Sequence, residues 1–299
     1  MYQTIACNTA DEFWSYLDPT NPLKKDFSRE EKKQLLYRGQ EDSQFKLLPA
    51  CFRKHFNKKT YESTITAEEQ VKNEYEEFIH FVRSQEYIEE TKKGIFKREE
   101  ELISENLRFQ IFQNPSIWPP ENLYKTLFLA QHHGAATRLL VWSKKSHIAV
   151  YFACQPILYD RRNDRTRLNG EIAVWCYLPN MASSNVIIED VPNNIDKNII
   201  AQSGRFSLVT QDMSNPKSGF KIKTLDDIET EQNLWKLTVP KKEIYSLLIK
   251  CDDEDINAES VYKGKRLDCV AMSYRENDML ENEIKTHKLT YLIDGLSDA

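Results

Sequence analysis

The sequence predicts an α+β fold: one domain with an irregular, mostly antiparallel sheet as its core, packed helices around it and a helical insert on one side. Three observations carry this. From residue 67 to about 113 apolar residues follow the helical period, with Val71, Tyr75, Phe78, Ile79 and Val82 on one face. Beyond residue 170 the chain turns to short runs rich in β-branched and aromatic residues, divided by turns that contain Pro179, Pro192 and Pro216. The two kinds of segment are mixed without regular βαβ alternation, which argues against a parallel α/β sheet.

In chain order, residues 1–34 read as helical, with Phe13, Trp14 and Leu17 on one side and the turn DPTNP, from Asp18, as a break. Leu35, Leu36 and Tyr37 form a strand-like run. The insert spans 67–114, and its second helical stretch runs from Gly94 to Pro115. LFLAQHHG, from Leu127, is a helix that stops at Gly134, the residue best able to enter a left-handed cap. Ser143 or Ser146 caps a further helix through IAVYFAC, so two helices bracket AATRLLVW. Strands follow at 171–178, 186–188 and 234–239. After Pro240 the chain returns to helix, since Ile244, Leu247, Leu248 and Cys251 share a face. No internal repeat or low-complexity tract interrupts the expected single domain over 1–299.

A hydrophobic content of 40% suffices for a substantial core, and the formal net charge of −5 excludes a protein that binds nucleic acid by overall charge. A basic run, Arg161, Arg162, Arg165 and Arg167, is interleaved with Asp160 and Asp164 and reads as a solvated loop. The six cysteines have no CxxC spacing, so reduced, packed thiols are expected and no metal site. There is no membrane-length apolar run and no basic-then-apolar leader, which makes the cytoplasm the expected location. GxSxG, P-loop, HExxH and glycine-rich dinucleotide motifs are all missing, so the corresponding hydrolase, NTPase, metalloprotease and Rossmann readings lack support.

Chemistry concentrates in YRG at Tyr37, Arg38 and Gly39 and in the stretch HHGAATRLLVWS, which holds His132, His133, Thr137, Arg138, Trp142 and Ser143. An arginine at a strand end can hold a phosphate or carboxylate through two parallel hydrogen bonds, and a neighbouring glycine lets a ligand approach the backbone. For Arg138 a pocket role and a structural role satisfying loop carbonyls stand level.

YRGQ at 37–40, LLP at 47–49, residues 131–153, EIAVW at 171–175 and AQSGRFSL at 201–208 together resemble the FRG domain, named for a (Phe/Tyr)-Arg-Gly motif and frequent in bacterial and phage-associated proteins. Where that family usually reads LLDW, this chain has Val141 in place of the aspartate. A more distant resemblance is to ADP-ribosyltransferases. It implies NAD as cofactor, bound by Tyr37, Arg38, Gly39, His133, Thr137, Arg138, Trp142 and Ser143, with Arg38 on the diphosphate or ribose and Tyr37 or Trp142 stacked on a ring. Arg38 and Gln202 would be the catalytic residues, Gln202 standing near the place of the usual catalytic glutamate. Glutamine can bond a ribose hydroxyl but cannot supply the charge that stabilises an oxocarbenium-like transition state. The resemblance implies a toxin or effector of anti-phage defence or of a toxin–antitoxin system, acting on a protein or nucleic-acid acceptor, with an antitoxin or regulatory protein as partner and no membrane. Val141 and the missing glutamate favour the alternative, a non-catalytic module that senses a nucleotide or a partner through the same pocket.

Overall fold

A computed structural model describes residues 2–18, 28–84, 87, 91, 102, 104–159, 168–179, 183–190 and 204–262. Seven strands form one sheet: β1 (Gln3–Ala6), β2 (Leu36–Gln40), β3 (Leu139–Ser143), β4 (Glu171–Tyr177), β5 (Val186–Asp190), β6 (Gly204–Val209) and β7 (Leu234–Pro240). Their order is β1-β7-β4-β2-β3-β6-β5, and only β1 runs parallel to its neighbour. The expected α+β, mostly antiparallel class is therefore the observed one.

Helices cover one face. Over β2, β4 and β7 lie α1 (Ala10–Leu17), α6 (Ser146–Tyr159) and α8 (Ile244–Asp253), which bury Phe13, Val150 and Leu247 against Tyr37, Val174 and Leu237. Over β3 and β6 lie α3 (Ala67–Val82) and α5 (Tyr124–His132), whose Phe78 and Phe128 share a cluster with Leu139 and Phe206. Alternate residues of the same strands, among them Leu36, Trp142, Trp175 and Tyr177, point to the other face and pack with Leu47 and with Leu225 of the short helix α7 (Leu225–Ile228). The remaining helices are α2 (Arg29–Gln34), α4 (Glu105–Gln113) and α9 (Ala258–Val261).

Four strands differ from expectation, and one of them, β2, continues through Arg38 and Gly39 to Gln40 where the sequence pattern ends the run at Tyr37. Residues 1–34 are not wholly helical, because Gln3–Ala6 adds β1 to the sheet edge. This strand has four residues and takes its order from pairing with β7, a long-range contact that no local periodicity announces. Leu139–Ser143 and Gly204–Val209, read as motifs without assigned structure, are β3 and β6 and pair with each other. The 67–114 insert supplies α3 and α4, while most of the stretch between them lies outside the described residues.

The stop at Gly134 is realised. Gly134 has φ +96°, its N–H donates to the Gln131 carbonyl at 3.0 Å, and the Ala135 N–H donates to Ala130 at 2.9 Å. These two bonds close a Schellman cap on α5. A Cβ at this position would meet nothing within 4 Å, so the cost of a side chain is conformational only. Gly134→Val is accordingly expected to destabilise by about 1–2 kcal/mol in urea unfolding. An unchanged midpoint would show that the α5 terminus does not need this conformation.

Candidate functional site

The two central strands β2 and β3 pair at a single register position, Tyr37 opposite Ser143, and then part. A cavity of about 260 Å³ opens there, walled by Tyr37, Arg38 and Gly39 of β2 and by Val141, Trp142 and Ser143 of β3. Ala149 and Phe152 of α6 close its base. Five of the residues expected at the site thus converge from segments a hundred positions apart.

Arg38 is the chemical centre of this cleft. One terminal nitrogen, Nη1, donates to the Val141 carbonyl at 2.7 Å, while Nε is buried with no partner. No carboxylate among the described residues pairs with it. Burial pulls its pKa down to about 10, and the positive charge of Arg53 adds to the fall. The guanidinium is still protonated at neutral pH, so the cleft holds a partly buried cation with no carboxylate partner among the described residues. An oxyanion would supply what Arg38 lacks: an acceptor for Nε and a countercharge.

Gly39 has a different reason from the one its motif suggests. A Cβ there would stand 1.9 Å from the Ala149 carbonyl oxygen and 2.7 Å from the Ala153 nitrogen. The backbone of α6 lies against this glycine. The small residues Ala149 and Ala153, one helical turn apart and both buried, let the helix lie directly on the strand. Gln40 is structural too: its Oε1 accepts the Trp175 indole N–H at 2.7 Å and its Nε2 donates to the Lys46 carbonyl at 3.1 Å. The motif YRGQ therefore positions one free cation with three residues that build its surroundings.

Other expected site residues fall elsewhere. Arg138, 3% exposed, donates from Nε to Glu74 at 2.7 Å, from Nη1 to the Trp118 carbonyl at 3.0 Å and from Nη2 to the Met213 sulfur at 3.3 Å. Glu74 also accepts from the Trp118 indole at 3.0 Å and from Gln70 at 2.8 Å. This is a buried ion pair tying α3 to the start of β3, and Arg138 does not line the Arg38 cleft. Thr137 is likewise a staple, donating to Gln131 Oε1 at 2.6 Å and accepting the Leu139 N–H at 3.2 Å. His133 is exposed at the end of α5, its ring 5.6 Å from that of Phe81, and does not line the cleft. Trp142 borders the cleft, yet it is 1% exposed, donates to Ser207 Oγ at 2.8 Å and packs on Tyr177, which leaves it no free face for stacking. Tyr37 is buried in the same way, and burial raises its phenol so that it stays protonated. Ser143 Oγ accepts the Lys145 N–H at 2.9 Å, a turn ahead of α6 and not a cap within it.

Gln202 and the basic run at 161–167 lie outside the described residues. Cys7, Cys51, Cys154, Cys176 and Cys251 are buried thiols with no disulfide among the described residues, and Cys269 lies outside them. Burial pushes the Cys7 thiol up to about 12, so it is a packing group and not a nucleophile. Among the described residues no group of His, Cys, Asp or Glu could hold a metal ion, and no helix is long and apolar enough to cross a membrane.

Sequence reasoning missed two contributors. Val141 offers its carbonyl to Arg38, and a backbone acceptor leaves no mark in residue identity. Arg53, held to the Leu48 carbonyl at 3.3 Å, adds to the lowering of the Arg38 pKa that burial chiefly causes, although it sits in a separate segment. Comparison with known proteins matches residues 33–162 to the family model of the FRG domain. No curated protein and no solved structure matches the chain.

Proposed function

We propose that this chain, which carries an FRG domain over residues 33–162, binds the diphosphate of a nucleotide at Arg38, with NAD as the first candidate. In this reading it is an ADP-ribosyltransferase-like effector of bacterial anti-phage defence or of a toxin–antitoxin pair, with a protein or nucleic acid as acceptor. One observation supports the ligand class: a charged arginine with a buried, unpartnered Nε and no carboxylate among the described residues, set in an open cleft between two parted strands. A folded protein loses stability by keeping such a group unpaired, and bound phosphate removes that loss. NAD and the reaction class come from the order of the sequence motifs.

A second reading is favoured by the described lining itself, which contains no carboxylate to stabilise an oxocarbenium-like transition state. On that reading the cleft senses the nucleotide without turning it over. Incubation with labelled NAD and a cell extract separates the two. A transferase releases nicotinamide and labels an acceptor, and it loses both activities in Gln202→Ala; a sensor binds NAD and leaves it intact.

The shared premise has its own test. Arg38→Met should weaken NAD at least tenfold in calorimetric titration, since the two-point donor is gone. Its melting temperature should stay level or rise, because a buried donor without an acceptor leaves with it. An early melt with normal binding by the folded fraction would make Arg38 structural. Val141→Asp gives a further check, as a carboxylate in the cleft wall would pair with Arg38 and compete with the anion.

A further inference from the structure

The register of the sheet decides which peptide groups face the Arg38 cleft. In an antiparallel pair, residues whose N–H and C=O both bond the neighbouring strand alternate with residues whose groups turn away from it. At the two ends of the β4–β7 pair the Leu178 N–H donates to the Asn233 carbonyl at 2.8 Å and the Lys241 N–H to the Gly170 carbonyl at 2.9 Å. Even-numbered residues of β4 therefore bond β7, and odd-numbered ones turn to β2, as the 2.8 Å bond from the Ser43 N–H to the Glu171 carbonyl also shows. Leu36, Arg38 and Gln40 stand opposite Tyr177, Trp175 and Ala173, so their peptide groups bond β4. Those of Tyr37 and Gly39 are directed at β3.

Tyr37 meets Ser143 there. The next pair of this kind would set Gly39 opposite Val141, and the register stops short of it. The Val141 carbonyl is taken by Arg38 Nη1 at 2.7 Å, which places the guanidinium at the gap itself. The N–H groups of Gly39 and Val141 face the same gap and have no register partner. With Nη1 engaged, the remaining edge of Arg38 is Nε and Nη2, the edge that holds two oxygens of one oxyanion side by side, and its Nε is buried without a partner. Peptide N–H groups left unpaired in a fold need an acceptor, and a group of them beside a cation makes an anion-binding concavity.

We infer that the interrupted pair is the other half of the anion site: the Gly39 and Val141 N–H groups and the Nε–Nη2 edge of Arg38 together hold the phosphate oxygens of the ligand. The Gly39 carbonyl adds an acceptor to the same gap and so favours a ligand that carries a hydroxyl beside its phosphate, as a nucleotide does. This rests on the reading of Arg38 as the diphosphate site and adds the backbone donors that complete it.

Amide hydrogen exchange of the full chain, followed by NMR with and without inorganic pyrophosphate, tests it. In the free protein the Gly39 and Val141 amides should exchange about tenfold faster or more than those of Arg38 and Leu140, whose peptide groups bond β4 and β6, and saturating pyrophosphate should slow both about tenfold. Val141→Pro removes one of the two N–H groups and no bond of the sheet, so it should weaken pyrophosphate about tenfold in calorimetric titration, with a thermal melt to check the fold. If that variant does not fold, exchange in the wild-type chain decides alone. Protected Gly39 and Val141 amides in the free protein, amides that bound pyrophosphate leaves unchanged, or normal binding by a folded Val141→Pro would overturn the backbone donors, while Arg38→Met still weakens pyrophosphate. No binding of pyrophosphate, or equal binding by wild type and Arg38→Met, would overturn the diphosphate site beneath them.

Discussion

Gly39→Ala is expected to abolish the soluble native protein, or to cost ~3 kcal/mol or more where folding can still be measured, the upper range for overpacking. The added methyl would stand 1.9 Å from the carbonyl oxygen of Ala149. That obstacle is backbone, so no rotamer change relieves it, and α6 must lift from β2. The contact sits in the middle of the helix-covered face, where Ala149, Val150 and Ala153 are almost wholly buried. Urea unfolding beside expression in the soluble fraction is the measurement. Gly134→Val, whose cost is conformational alone, provides the scale, and Gly39→Ala should exceed it clearly. A Gly39→Ala protein that melts like wild type would mean that α6 does not lie on β2 as described, and the floor of the cleft would have to be redrawn.

The second large effect is expected at the buried ion pair. Glu74→Leu alone should cost about 3–5 kcal/mol, because it strands the Arg138 guanidinium in an interior without a countercharge. The side chains of the pair are 3% and 5% exposed, so water cannot replace the lost carboxylate. The Trp118 indole N–H and the Gln70 amide lose their acceptor at the same time. The double variant Glu74→Leu/Arg138→Met should recover most of the loss, since replacing both charges by apolar groups removes two desolvation penalties together. Arg138 does not line the Arg38 cleft, so the recovered double variant should titrate NAD as wild type does. Loss of binding in a stable double variant would return Arg138 to the ligand site.

The candidate site was legible in part, and the pattern of success follows from what each residue does. Arg38 stood out because an arginine beside a glycine after a strand-like run is the local pattern of an anion site, although β2 runs on to Gln40 and Gly39 serves the seating of α6. Gly134 was readable for the same kind of reason: it ends a helix within its own segment, and the φ of +96° is a local property. Thr137 and Arg138 group with Arg38 as site residues by sequence, yet they serve α5 and α3. Their partners, Gln131 and Glu74, are polar helix residues that carry no visible sign of the contact. Trp142 shows the limit most clearly, since a tryptophan next to a motif reads equally as a stacking platform or as core, and only its 1% exposure and its bond to Ser207 decide.

By itself the sequence determined the α+β class, the helix α3 of the 67–114 insert, the helix stop at Gly134, the strands β4, β5 and β7 and the presence of an arginine in the YRG motif. Each of these depends on hydrophobic period, turn chemistry or side-chain charge, quantities carried by neighbouring residues. The tertiary structure decided the order β1-β7-β4-β2-β3-β6-β5, the parting of β2 from β3, the seating of α6 on Gly39 and the choice of Arg38 over Arg138 as the free arginine. Those depend on pairings between segments far apart in the chain. Which strand lies beside which, and which guanidinium finds a carboxylate, is settled only when distant surfaces are brought together and their polar groups compete for the same partners.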